Sequence, residues 1–273
     1  MAVAVPGDVY RLGRHRLMCG DATDPAAVAA LMAGESAGML LTDPPYGIDY
    51  SRKDKWLTKY RVNGRLQGRT GACIANDRMD EEALAGFLEA AFRASDAVLE
   101  PGAVCCVWYS DLKAWSFLSA LREVGWKHHE TLIWAKNRMV LGRYDYQWKH
   151  EPCWYGWKPG AAHVWNNDRK QTTLIEAHSP LRNKLHPTMK PVGLFDYLIR
   201  NGTNDGATVL DPFAGSGTTL IACEYNGRAA RCMEIQPEYC DIIIDRYAKA
   251  AFGYDSIQVE RGGELLPYSE ICK

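Results

Sequence analysis

Short apolar runs alternate with helically spaced segments along most of the chain. Strands are predicted at "RLMCGD" (16–21), "GMLLTD" (38–43), "PGAVCCVWY" (101–109), "HETLIWAK" (129–136), "ATVLD" (207–211) and "RAARCME" (228–234). Several are apolar throughout, as strands buried on both faces are. Helices are predicted between them, at about 25–33, 80–99, 111–122 and 191–201, from about 217, and from Pro237. Asp80 is placed as an N-cap, with acids in the first turn behind it, and Pro191 at the first helical position. Strands alternating with helices predict an α/β fold, a doubly wound and mainly parallel sheet. Two stretches interrupt the alternation. Residues 51–78 form a long polar segment, and 138–185 are rich in aromatic and turn residues without a clear period. Unstructured segments of that length are usually functional or mobile.

A chain of 273 residues suffices for one large α/β domain with an insertion. Its net charge of −1 announces no polyanionic partner, so any nucleic-acid contact must come from local clusters. The 9 cysteines are scattered without a C-x-x-C pair, which excludes a compact disulfide framework or a zinc ribbon and favours a reducing cytosol. His128, His129 and His163 have no partners at metal-ligand spacing, so no metal is expected. No apolar run approaches the ~18 residues of a membrane span. The tail 252–273 carries no readable signal.

Two strand ends carry chemistry. "TVLDPFAGSGTTL" (208–220) reads as strand, glycine turn and helix, with Gly215 and Gly217 permitting close backbone approach. The free N–H groups behind them suit an anionic group. Glu234 ends the next strand, where an acid can bind both hydroxyls of a ribose. The third glycine of the dinucleotide fingerprint is replaced by Leu220, and Asp211 would repel a pyrophosphate. S-adenosylmethionine, with its ammonium, carboxylate, sulfonium and ribose, fits the set better. Alone, the turn would be read as purely structural.

The other strand end is "MLLTDPPYGIDY" (39–50), in which neither proline can donate to a ladder. An exocyclic amino nitrogen is a poor nucleophile because its lone pair is delocalised into the base. Two fixed acceptors help it become tetrahedral: the Asp43 carboxylate and the Pro44 carbonyl, on a loop stiffened by Pro44 and Pro45. Tyr46 offers a face to a base taken out of its helix.

With these motifs together, the chain resembles the DNA amino-methyltransferases of the adenine-N6/cytosine-N4 type. "DPPYG" (43–47) matches that family's catalytic motif and "DPFAGSGT" (211–218) its cofactor motif. "HPTMKP" (186–191) and "CGD" (19–21) resemble two further segments of the cofactor pocket, and the likeness covers most of residues 9–251. Catalytic motif first and cofactor motif last is the order of the circularly permuted β class. The opening "GDVYRLGRHRLMCGD" resembles methyltransferases of phages and prophages.

The resemblance implies a Rossmann-like methyltransferase domain over 1–273, S-adenosylmethionine as cofactor and double-stranded DNA as partner. It implies no membrane contact, a bacterial or phage-infected cytoplasm, and a homodimer as a common arrangement. It implies that Asp43 and Pro44 hold the target amino group while Tyr46 stacks on the flipped base. Asp211, Phe213, Gly215 and Gly217 would shape the methionine site, Glu234 would take the ribose, and Asp21 would lie near the adenine. Thr188 and Lys190 would line the cofactor pocket. Asp before Pro-Pro-Tyr leans toward adenine N6, with cytosine N4 the alternative. RNA or protein glutamine, and a DNA-binding module with a dead site, fit less well.

Residues 51–70 hold seven Lys/Arg against one acid, with Trp56 and Tyr60 interleaved. Arg52, Lys53, Lys55, Lys59 and Arg61 are the candidate DNA contacts, on a mobile DNA-facing loop over 51–78. Residues 138–185 are expected to be the target-recognition insertion, with Trp154 and Trp157 more at home in a core.

Overall fold

The structure, a computed structural model, describes residues 2–47, 79–141, 144–177, 189–251 and 253–272. The first half runs β1 (Val9–Leu12), β2 (His15–Cys19), α1 (Pro25–Met32), β3 (Ala37–Thr42), α2 (Glu81–Asp96), β4 (Leu99–Trp108) and α3 (Ala114–Val124). Next come β5 (Lys127–Val140), β6 (Trp148–Trp157), β7 (Leu174–Glu176), α4 (Val192–Gly202), β8 (Thr208–Asp211) and α5 (Thr218–Tyr225). The chain closes with β9 (Ala229–Glu234), α6 (Pro237–Ala250), β10 (Ile257–Arg261), β11 (Glu264–Pro267) and α7 (Tyr268–Ile271).

All of these strands form one mixed sheet in the order β11-β10-β1-β2-β9-β8-β3-β4-β6-β5-β7. The pairings from β2 across to β4 are parallel. Those of β1, β10 and β11 on one flank, and of β6 with β4 and β5 on the other, are antiparallel. The parallel centre is where helices cover both faces, and there alternate residues go to opposite cores. Met39 and Leu41 of β3 and Val104, Cys106 and Trp108 of β4 join one core, with Leu194 and Phe195 of α4, Leu220 of α5 and Ile243 of α6. Leu40, Cys105 and Val107 join the other, with Leu31 of α1, Leu88 and Phe92 of α2 and Phe117 of α3. Two buried faces require apolar residues at both phases of the period of two, so these strands read as continuous runs.

Local signals explain the ends of the elements. The Asp80 side chain accepts from Ala83 N at 2.8 Å and caps α2, with Glu81 and Glu82 in its first turn. Pro191 caps α4 from an extended conformation and does not occupy its first helical position, so the expectation was one residue off. The predicted 111–122 helix begins as a 3₁₀ turn, Asp111–Lys113, before α3.

The largest departure is in 138–185. The stretch read as irregular contains all of β6 and β7, and β5 runs on to Val140. Trp154 and Trp157 are buried, with β6 inserted between β4 and β5. Its apolar run, Cys153 to Trp157, is buried on both faces and therefore lacks alternation. The tail, silent in sequence, supplies β10, β11 and α7. The loop 51–78 lies outside the described residues.

Gly156 sits where the antiparallel flank is tightest, since a Cβ there would lie 2.1 Å from the Lys127 carbonyl oxygen. Backbone cannot retreat as a flexible side chain can. Gly156→Ala should destabilise the protein by about 2 kcal/mol or more in urea unfolding; a loss below about 0.5 kcal/mol would contradict this register.

Candidate functional site

The carboxyl ends of β2, β9, β8 and β3 lie on one edge of the parallel centre, where open α/β sheets bind ligands. A cavity there is lined by Asp21 beyond β2, Asp43, Pro44, Pro45 and Tyr46 beyond β3, Asp211, Phe213 and Gly215 at β8, Glu234 at β9, and Lys190. Residues separated by most of the chain thus share one space, because β3 pairs in parallel with β8, Met39 opposite Val209 and Leu40 opposite Leu210. Gly217 does not line the cavity. It caps α5 at φ 80°, with a Cβ position 2.9 Å from Ile243, so it shapes the turn from behind. Thr188, Arg52, Lys53, Lys55, Lys59 and Arg61 lie outside the described residues.

Asp211 is buried, and both its oxygens are bonded within the protein. Oδ1 accepts from Thr42 Oγ1 at 2.8 Å and from Phe213 N at 3.2 Å, and Oδ2 accepts from Thr219 Oγ1. Burial pushes its pKa up to about 6, against the pull of these donors. It ties β3, the glycine turn and α5 together while facing the cavity. Glu234 is held by backbone: Oε2 accepts from Gly215 N at 2.8 Å and Oε1 from Gln236 N at 2.9 Å. Burial raises its pKa to about 7. Asp21, exposed at the cavity rim, accepts from Thr23 N and Thr23 Oγ1 through Oδ1. Phe213 leans on Phe87, ring centres 5.8 Å apart.

Around Asp43 the arrangement is ionic. Tyr46 donates its hydroxyl to Asp43 Oδ1 at 2.6 Å, and Lys190 donates Nζ to Oδ2 at 2.5 Å. The Lys190 ammonium also lies 3.0 Å from Glu151 Oε2 and 3.3 Å from the Tyr46 oxygen. Lys190, expected to line the cofactor pocket, lines the cavity and is at the same time an ion-pair partner of the Asp-Pro-Pro-Tyr acid. It is 4% exposed. Burial alone would depress its pKa, but Asp43 and Glu151 together raise it, so it stays charged.

Glu151 is the residue that sequence reasoning missed. It stands on β6, inside the stretch read as insertion, and lines the same cavity. An acid directly before a buried apolar run was the available signal. Phe87, Phe195 and Tyr239 complete the apolar wall. Among the described residues, no group of three His, Cys, Asp or Glu is placed to hold a metal ion. None of their helices is long and apolar enough to cross a membrane.

The donor set fits S-adenosylmethionine: backbone at a glycine turn, buried acids for hydroxyl or ammonium groups, and aromatic walls. This sheet, with those two strand-end loops meeting at its edge, has the fold of the S-adenosylmethionine-dependent DNA methyltransferases. It aligns with the M1.HpyAVI complex with S-adenosylmethionine at TM-score 0.60 and 23% identity, covering 84% of this chain and 98% of that one. It aligns with PvuII DNA methyltransferase (cytosine-N4-specific) at TM-score 0.61 and 16% identity, covering 87% and 92%. The chain belongs to the N6_N4_Mtase family, the DNA methylases, whose family model matches residues 38–245. It is 30% identical to YubD of Escherichia coli (strain K12) over 216 residues, 79% of this chain and 84% of YubD. It is 26% identical to the type II methyltransferase M2.DpnII of Streptococcus pneumoniae over 234 residues, 77% and 82% of the two chains. It shares 34% identity over 108 residues with the DNA adenine methyltransferase YhdJ of Escherichia coli (strain K12), 40% and 34% of the two chains. The protein is a DNA methyltransferase that uses S-adenosylmethionine.

The raised pKa of Glu234 has a measurable consequence. A folded value near 7 against an ordinary 4.5 means that the fold binds this proton more tightly than the unfolded chain does. Its contribution is most favourable below about pH 4.5 and is lost as the pH rises through about 7. Glu234→Gln cannot titrate. Relative to the native chain, the variant should gain up to about 3 kcal/mol between about pH 5 and 8 in ligand-free denaturation. A flat or opposite trend would mean that Glu234 is not held protonated in the fold.

Proposed function

We propose that the protein transfers the methyl group to the N6 amino group of adenine, flipped out of double-stranded DNA. The observation that carries this reading is Asp43 and Asp211 at the carboxyl ends of adjacent parallel strands, opening into one cavity with Glu234. In it, Glu234 takes the ribose hydroxyls, Asp21 stands near the adenine of the cofactor, and Asp211, Phe213 and the glycine turn surround the methionine portion. Bound S-adenosylmethionine supplies an electrophilic methyl on a sulfonium. Asp43 and the Pro44 carbonyl accept from the two N–H groups of the target, drawing its lone pair toward the methyl. No base is needed before transfer, since the proton can leave afterwards. Tyr46 stacks on the flipped base. The Asp-Pro-Pro-Tyr motif precedes the glycine motif while their strands are neighbours, which supports the permuted β order.

Asp at position 43, and the likeness to an adenine methyltransferase, favour adenine. Cytosine N4 is the second reading, favoured by the fold shared with a cytosine-N4 enzyme, because its amino group asks for the same two acceptors. For DNA contact, the β5–β6 hairpin is assigned alongside 51–78. Glu151 pairs with Trp134 and His150 with Ala135, while β4 ends at Trp108 opposite Cys153. The hairpin therefore runs past the catalytic edge with Arg138 and Lys149 exposed on it.

Incubation with labelled S-adenosylmethionine and unmethylated genomic DNA, followed by modified-base sequencing, should give N6-methyladenine within one short sequence. N4-methylcytosine would establish the second reading instead. Asp43→Ala should cut transfer on the order of 10²–10³-fold while changing affinity for the uncharged product, S-adenosylhomocysteine, by less than about threefold. Full activity in that variant would overturn the mechanism.

A further inference from the structure

Four side chains form a row of alternating charge, three of them, Glu151, Lys190 and Asp43, lining the cavity. Lys136 pairs with Glu151 Oε1, Glu151 Oε2 lies 3.0 Å from Lys190 Nζ, and Lys190 reaches Asp43 Oδ2 at 2.5 Å. The Lys190 ammonium also lies 5.5 Å from the centre of the Trp108 ring and 5.7 Å from that of Tyr46, so aromatic faces surround it. Burial opposes ionisation of Glu151, but Lys190 and then Lys136 outweigh it and hold the acid below the usual carboxylate range. Asp43 and the two motif strands make an ordinary site for this chemistry. A buried cation against its acid does not by itself help it.

The difficulty is one of sign. In the transfer, the nitrogen lone pair forms the N–C bond, and the C–S bond breaks with its electron pair left on sulfur. The nitrogen then sheds a proton to solvent. Positive charge thus moves from the sulfur toward the nitrogen beside Asp43. A bare Lys190 would offset the Asp43 carboxylate and repel the charge at both ends of that path. In a region shielded from water such a charge acts over several ångströms.

We propose that Glu151 is a positioning residue that neutralises Lys190, letting Lys190 fix the Asp43 carboxylate without repelling the charge in transit. Lys190 holds Oδ2 as Tyr46 holds Oδ1, which orients the acid. Glu151 cancels the field that this anchoring brings, and Lys136 keeps Glu151 ionised. This rests on the proposed methyl transfer, but its electrostatic core concerns cofactor binding and can be tested without DNA.

The test compares S-adenosylmethionine, which carries the sulfonium charge, with S-adenosylhomocysteine, which lacks it. Calorimetric affinities for both are measured on the native protein, Glu151→Gln, Lys190→Met and the double variant, with melting curves for each. Glu151→Gln should weaken the sulfonium ligand relative to the neutral one by about tenfold or more, the scale of one unit charge about 12 Å away at an effective dielectric of about 20. Lys190→Met should shift the ratio in the opposite direction. The double variant should return it to within about threefold of native. Transfer of labelled methyl to unmethylated plasmid DNA should fall at least about tenfold in Glu151→Gln. A purely structural Glu151 would weaken both ligands equally, and Lys190→Met would add to the damage. That pattern, or an unchanged ratio in Glu151→Gln, overturns the inference. Should Glu151→Gln fail to fold, Lys190→Met against the double variant carries the same comparison. A native protein that binds the cofactor yet methylates no DNA would sink the proposed function and leave the ratio to decide this inference.

Discussion

The parallel contact of β3 with β8 is the constraint on which the site depends. It sets Leu40 opposite Leu210 and, one step on, brings Thr42 within hydrogen-bond reach of Asp211. A slip of one residue would send Leu40 to the opposite core and turn Thr42 away from Asp211. Both faces of these strands are packed under helices, so no such slip is affordable. The same register aims two loops into one cavity, although 168 positions separate Asp43 from Asp211.

Within that cavity, acids are kept in two different ways. Asp211 and Glu234 are satisfied by hydroxyl and backbone donors and face no cation among the described residues, so burial dominates and their pKa values rise to about 6 and about 7. Both line the cavity as buried acceptors. Glu151 has lysines on both sides, so attraction wins over burial and its pKa falls. The half of the cavity around Asp43 is thus held by ion pairs, and the half around Glu234 by hydrogen bonds from backbone. One sheet edge holds both because Asp43, Asp211 and Glu234 follow or end neighbouring strands and β6 carries Glu151 past the same edge.

Much of this was readable along the chain. The central strands showed themselves as apolar runs, Asp80 as a cap, and Gly215 as a place of close backbone approach. Asp43, Tyr46, Asp211 and Glu234 stood at strand ends in motifs too specific for plain turns. Other parts were hidden for physical reasons. β6 is buried on both faces and rich in tryptophan, and it sits in a stretch crowded with turn residues, so its run looked like irregular chain. Gly217 resembles Gly215 in sequence, but only packing against Ile243 shows that it supports the turn from behind. Lys190 lay in a cofactor-like motif, and nothing local to it pointed to Asp43.

The sequence by itself determined the elements that depend on near neighbours: periodicity, caps, glycine turns, and the loop chemistry that marks a DNA methyltransferase. Such signals act within a few residues, so they survive in a linear reading. Tertiary structure alone decided which charges meet. Lys136, Glu151, Lys190 and Asp43 come from three separate parts of the chain, and their coupling exists only because β6 is inserted beside β4 at the catalytic edge. Coulomb forces depend on distance in space, and no spacing along the chain encodes that distance.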